Sequence, residues 1–179
     1  MVNYINHVDM KKKRTLYDNM KARCYNESYQ KGNPAYKGCT VCAEWLDDKQ
    51  AFYDWVDRNY YICGAEQVDL DKDILVKGNR EYSPDACIFC PHSINTFYEK
   101  LTREPVYLPE SDKWKISINI GGKLINLGYY NSPDEAKKVY IQHKEASLLA
   151  KADLYKDKIP EKLYNAMVNT KIELSDWKE

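Results

Sequence analysis

Apolar residues recur at helical spacing in the amino-terminal part of the chain. Leu16, Met20 and Cys24 stand four apart with Tyr17 beside them, a stripe that predicts a helix from about Lys12 to Tyr25. Pro34 and Gly38 break the segment that follows. Asp47 or Asp48 can cap a second helix, in which Phe52, Trp55 and Val56 line one face before Arg58-Asn59 ends it. The pattern then changes: Val68-Asp69-Leu70-Asp71-Lys72-Asp73-Ile74 reads as an acidic strand leading into a turn, with Asp69, Asp71 and Asp73 on one side. A short helix follows at Pro91-His92-Ser93-Ile94-Asn95. Further on, Trp114, Ile116, Ile118 and Ile120 alternate with Lys113, Lys115, Ser117 and Asn119, the period of a half-buried strand. Gly121-Gly122 makes a hairpin turn, and Lys123 to Tyr129 returns as a strand. Ser132-Pro133-Asp134-Glu135 supplies an N-cap, a proline at the first helical position and a capping-box Glu. The helix it opens carries Ala136, Val139, Tyr140, His143 and Ser147 on one face, which makes His143 a packed residue. A last short helix from Ile159-Pro160-Glu161 packs through Leu163, Ala166 and Met167, and Lys171 to Glu179 is expected to fray.

These elements predict an α+β chain of two small domains. Residues 1–100 hold the helices and the strand-turn-helix unit; residues 113–179 hold a small antiparallel three-stranded sheet packed on a helix, then the C-terminal helix. Residues 101–112 contain two prolines and no steady period, and read as a linker with room for a short edge strand. Charge changes the picture little in sum and much in detail. The 27 basic and 27 acidic residues cancel, which argues against coating nucleic acid by bulk electrostatics. From Lys11 to Lys37, however, Lys11, Lys12, Lys13, Arg14, Lys21, Arg23, Lys31 and Lys37 face only Asp18 and Glu27. No stretch approaches the roughly 20 apolar residues that span a bilayer, and no apolar export segment follows the first charges, so a cytoplasmic protein away from membranes is expected. The six cysteines are then reduced. Four of them form two Cys-x-x-Cys pairs, Cys39/Cys42 and Cys87/Cys90, a spacing at which two thiolates reach one tetrahedral Zn²⁺; packed core thiols are the other reading of the same residues.

The candidate chemistry lies in the acidic strand. Carboxylate and amide oxygens from Asp69, Asp71, Asp73, Asn79 and Asn95 suit a hard cation such as Mg²⁺ or Mn²⁺, and an ion with few protein ligands keeps positions open for a phosphate and a water. This stretch resembles the HNH nucleases, whose ββα unit carries Asp-His or His-His on its first strand. Counting back from Asn79 puts Asp71 and Lys72 in the paired slots and Asn95 in the helix slot, while the middle Asn slot holds Ala86 or a neighbour in Asp85-Ala86-Cys87. The resemblance implies Asp71, Asn95 and His92 as metal ligands. Lys72 stands where the family's general base is. An unperturbed Lys titrates near about 10.4 and the surrounding carboxylates favour its charged form, so Asp69 or His92 would take the proton from water instead. His92 and Asn95, three apart, share a helical face. Catalytic candidates are therefore Lys72, Asp69, Asn79 and His92. "MKARCY", "YKGCTVCAEWL", "FYDWV", "LDKDILVKGN" and "YSPDACIF" together look like phage-encoded HNH-like proteins over residues 14–98, some of which carry a zinc knuckle.

Residues 106–150, with "LGYYNSPDEAKKVY", resemble the integrase-type DNA-binding domain of plant ethylene-response factors. The resemblance implies a sheet face presenting Lys115, Ser117, Asn119, Lys123 and Asn126 to the major groove of duplex DNA. No arginine occurs from Glu104 onward, so bidentate guanine readout is missing. Three expectations follow: a metal-dependent DNA endonuclease with a tethered DNA-binding module; a noncatalytic phage protein that binds DNA, a host defence protein or a host nucleoprotein; and a site that captures or hydrolyses a nucleotide phosphate.

Overall fold

The computed structural model of the chain describes residues 2–5 and 7–177. The chain is α+β, and it divides into two compact units, Met1–Asn95 with Asp157–Leu163, and Thr96–Lys156 with Tyr164–Glu179. The segment read as a linker, 101–112, lies inside the second unit and contributes a strand to its sheet. No helix among the described residues is long and apolar enough to cross a membrane.

In the first unit, strand β1 (Asn3–Tyr4) is followed by helix α1 (Met10–Tyr25), whose N-cap Asp9 accepts from the backbone N–H groups of Lys11 and Lys12. α1 buries Lys13, Tyr17, Met20 and Cys24, whereas Leu16 is only half-buried; the core row runs along a face that includes a lysine. Lys13 is tolerated there because it pairs with Asp57, which also accepts from Val8 N at 2.7 Å. Helix α2 (Glu27–Gly32) and a 3₁₀ turn at Pro34–Tyr36 lead to strand β2 (Thr40–Val41). Helix α3 (Ala43–Asp47) then meets α4 (Lys49–Asn59), which Asp48 caps through Gln50 N. The aromatic core forms here. Trp45 meets Phe52 at 4.9 Å and Trp55 at 5.1 Å between ring centroids, and Trp55 meets Phe89 at 5.3 Å. Such pairs add to the burial of their large apolar surfaces.

Strand β3 (Tyr61–Ile62) pairs with β1. Strand β4 (Val68–Asp71) ends earlier than the alternation suggests: Asp73 leaves the strand side, because the chain turns at Lys72. Strand β5 (Glu81–Tyr82) pairs in parallel with β2, and strand β6 (Ile88–Pro91) pairs antiparallel with β4, with Asp69 opposite Cys90 and Asp71 opposite Ile88. Helix α5 (His92–Glu99) starts at the residue after β6, giving a strand-strand-helix unit.

In the second unit, strands β7 (Val106–Leu108), β8 (Lys113–Ile120) and β9 (Lys123–Tyr130) form an antiparallel sheet in that order, with a bulge opposite Ile116/Ser117. Helix α6 (Pro133–Tyr155) covers one face. Ser132 Oγ accepts from Glu135 N, and Glu135 Oε2 accepts from Asn131 N. Ile116, Ile118, Ala136 and Tyr140 form the core with Ile172 and Trp177. Two expectations are corrected here. The buried row of α6 is Ala136, Tyr140, Lys144, Leu148 and Ala152, strictly four apart, so His143 is exposed. The tail does not fray over its described part: after helix α7 (Glu161–Asn169), Ile172 and Trp177 pack into the core, and Trp177 Nε1 donates to Arg103 O at 3.0 Å. Two isolated apolar residues carry no periodicity, which is why the sequence pattern hid them. Lys178 and Glu179 lie outside the described residues.

The Lys13–Asp57 pair supplies a test of this core. Asp57→Ala leaves a lysine ammonium buried without its partner and is expected to lower unfolding stability by about 3 kcal/mol. Lys13→Met with Asp57→Leu removes both charges and should cost less, as measured by urea denaturation.

Candidate functional site

The ββα unit brings three of the expected residues together. Alternation along β4 puts Val68 and Leu70 into the core, at 3% and 5% exposure, and turns Asp69 and Asp71 to the other face. Because α5 begins directly after β6, its first turn lies over Asp69. His92 Nδ1 meets Asp69 Oδ2 at 2.7 Å, and Asn95 Nδ2 donates to the same oxygen at 3.3 Å. Gln67 Nε2 donates to Asp69 Oδ1 at 2.7 Å. Burial pushes the Asp69 carboxyl up, yet the hydrogen bonds from His92, Gln67 and Asn95 outweigh it and hold the group below the usual carboxylate range. The Asp69 side chain is 13% exposed and the His92 ring 63%. A half-buried carboxylate thus carries an imidazole that solvent reaches. Glu66 Oε1 accepts from Ser93 N at 2.6 Å and fixes the start of the helix.

Asp71 is held differently. Its Oδ1 accepts from the backbone N–H groups of Asp73 and Ile74, both at 2.8 Å, which forms the turn that ends β4. Burial and the nearby Asp73 charge raise its carboxyl to about 6, against the opposing effect of those two bonds and Lys72. Asp71 and Asn95 therefore do not meet directly, since the Asn95 amide goes to Asp69. Lys72 turns to the opposite side from Asp69 and His92. It is 7% exposed, its Nζ lies 2.9 Å from Asp73 Oδ2 and 5.9 Å from the Tyr82 ring centroid. Burial lowers its amine, but the bond and charge of Asp73, with Cys39 and Asp71, raise it beyond its ordinary value, so Lys72 stays protonated. Asn79 closes the loop between the strands: its Nδ2 donates to Lys72 O at 2.7 Å and Glu81 O at 2.6 Å. Ala86 is buried.

Among the described residues, no group of three or more His, Cys, Asp or Glu side chains is placed to hold an ion, which applies to Cys39, Cys42, Cys87 and Cys90 and equally to Asp69, Asp71 and His92. Cys39, Cys87 and Cys90 are buried, and burial pushes the Cys42, Cys87 and Cys90 thiols up, away from the thiolate form that zinc takes.

In the second unit, Lys115, Ser117 and Asn119 share the β8 face turned from α6, and Asn126 sits opposite Ser117. Lys123 is opposite Ile120 and so belongs to the other face, at the hairpin end. Ser117 is itself buried between its neighbours, at 8% exposure. Asn119 Oδ1 accepts from Gly122 N and Asn126 Oδ1 from Gly128 N, which leaves their amide N–H groups as the outward donors. Sequence reasoning missed the exposed Val106, Leu124 and Tyr129 on this face, at 58%, 60% and 55%. Val106 lay in the segment read as linker. It also missed Arg23, whose Nη1 donates to Leu70 O and Tyr82 Oη, both at 3.4 Å, behind β4. Its position in the α1 pattern next to the core residue Cys24 was the signal available.

Compared with known proteins, the chain matches no protein-family model, no curated protein and no solved structure.

Two variants test this geometry. Asn79→Ala removes both bonds that close the loop and is expected to lower stability by about 1–3 kcal/mol in chemical denaturation. For Asp71, the folded-state value lies above the unfolded one, so the protonated carboxyl favours folding below pH 4 and that contribution is lost as pH rises through about 6. Asp71→Asn keeps an oxygen for the turn without the charge; at pH 8 it should be more stable than the parent by on the order of 1–2 kcal/mol, and at pH 3.5 it should show no gain.

Proposed function

We propose that the chain is a metal-dependent DNA endonuclease of the HNH type, with duplex DNA as its partner and Mg²⁺ or Mn²⁺ as its metal. The observation that carries this reading is the meeting of His92 and Asn95 on one oxygen of Asp69, at the start of the helix in a strand-strand-helix unit. The donor chemistry fits a hard cation: carboxylates at Asp69 and Asp71 and an amide at Asn95, with Asp71 carrying a charge that the surrounding groups leave poorly compensated. When bound, such an ion polarises a phosphodiester and offsets the charge that builds up on it. Asp69 orients the His92 ring through Nδ1, and the ring, which solvent reaches, accepts the proton of the attacking water. Lys72 has no part in that proton transfer, and Asn79 acts by holding the loop. In the second unit, Lys115, Asn119 and Asn126 supply the donors for the sugar-phosphate backbone.

A second reading is favoured by one observation. The slot next to Asp71 holds a buried, ion-paired lysine instead of a base, which suits a noncatalytic protein of phage origin that binds DNA, a host defence protein or a nucleoprotein on the same scaffold.

Incubation with supercoiled plasmid and Mg²⁺ or Mn²⁺ separates the two. Nicking is expected for the parent and for Lys72→Met, with a loss of about 10²–10⁴-fold in His92→Ala and Asp69→Ala. Retarded migration of an intact duplex, without cleavage in either metal, would remove the enzyme and leave the binder.

A further inference from the structure

Three lysines of the described chain are buried: Lys13, Lys72 and Lys144. The first two pair with Asp57 and Asp73. Lys144 is 5% exposed, in the middle of the α6 row whose other members are Ala136, Tyr140, Leu148 and Ala152. Its Nζ lies 3.6 Å from the centroid of the Phe97 ring on α5, and among the described residues it makes no hydrogen bond or ion pair. The ring face holds a cation without offering its three N–H donors an acceptor atom.

The charges that act on Lys144 are both positive. Lys100 lies just past the end of α5, and Lys151 is seven residues along α6, on the same face; together with burial they push the Lys144 amine down to about 8. The carboxylates nearby in sequence face elsewhere or have other work. Glu145 accepts from Ile172 N and pairs with Lys171, Asp153 accepts from Tyr164 Oη, and Glu99 is exposed. All of these residues belong to the second unit.

We propose that Lys144, with Lys100 and Lys151, forms an anion site that takes a phosphate group. A phosphate suits three ammonium groups because it spreads close to two negative charges over its terminal oxygens and can accept from each of them. The lysine side chain is long enough to carry its ammonium from the ring to the rim of the site while its methylenes stay packed. The phosphate has two possible sources, the backbone of a nucleic acid or a free phosphate or nucleotide. The site lies on α5 and α6, not on the open face of the sheet, and stands whether or not Asp69 and His92 support cleavage.

The test follows the side-chain Cε and Nζ resonances of Lys144 by NMR in the full chain, at fixed ionic strength, with inorganic phosphate, with ATP and with a short DNA duplex as separate additions. Saturation is expected to raise the titration of Lys144 by a unit or more and to raise Tm; Lys144→Met should lose the Tm increase and Lys144→Arg should keep it. Without phosphate, the folded amine holds fewer protons than the unfolded one between about 8 and 10.5, so the stability of the parent relative to Lys144→Met rises with pH across that window. Should Lys144→Met fail to fold, Lys100→Met and Lys151→Met are expected to raise the Lys144 titration without phosphate and to weaken phosphate binding about tenfold. A response to duplex alone assigns the nucleic-acid source, and a response to phosphate or ATP the free one. An unchanged Lys144 resonance in all three additions, or an equal Tm increase in parent and Lys144→Met, overturns the site. His92→Ala serves as control: it should bind phosphate as the parent does, so loss of cleavage and loss of this site remain separate results.

Discussion

A carboxylate removed from water must be met by donors, and in the first unit that requirement falls on Asp69. His92 and Asn95 reach one of its oxygens and Gln67 the other, so strand β4, the start of α5 and the segment before β4 are tied at one point. The arrangement depends on register. With Asp69 opposite Cys90, only Pro91 separates the paired strand position from the first helical residue, and α5 has no loop in which to swing away. A one-residue slip of β4 would turn Asp69 into the core and carry Val68 and Leu70 out of it.

The neighbouring Asp71 shows the opposite balance. It too faces away from the core, but its acceptor capacity goes to the turn, and Asp73 lies close enough to raise its carboxyl. Two carboxylates two residues apart on one strand thus have different charge compensation: Asp69 is held ionised by its donors, and Asp71 carries a charge its surroundings oppose. Lys72, at the turn that follows Asp71, takes no part on that side because its amine lies against Tyr82 and Asp73. The second unit rests on a different constraint, the row of α6 against Ile116 and Ile118, closed by the tail through Ile172 and Trp177.

Much of the secondary structure was legible because its signals are local. The caps at Asp48 and Ser132, the glycine pair at 121–122 and the alternation of Trp114 to Ile120 are each set by a few adjacent residues, and the structure places elements where they point. The joint position of His92 and Asn95 also followed from spacing alone, since residues three apart share a helical face. Errors arose where a side chain's fate is decided by a distant partner. Lys13 enters the core only because Asp57 meets it, Trp177 because Arg103 O accepts its indole N–H, and Lys72 lies over the Tyr82 ring, ten residues on.

The amino-acid sequence by itself determined the α+β composition, the acidic strand followed by a helix, and the hairpin with its capped helix, because hydrophobic period, capping and turn chemistry act over a few residues. Only the tertiary structure decided which carboxylate receives the helix, which cysteines are buried, and which of adjacent His143 and Lys144 is buried. Those outcomes depend on strand register and helix rotation, and both are fixed by contacts between residues far apart along the chain.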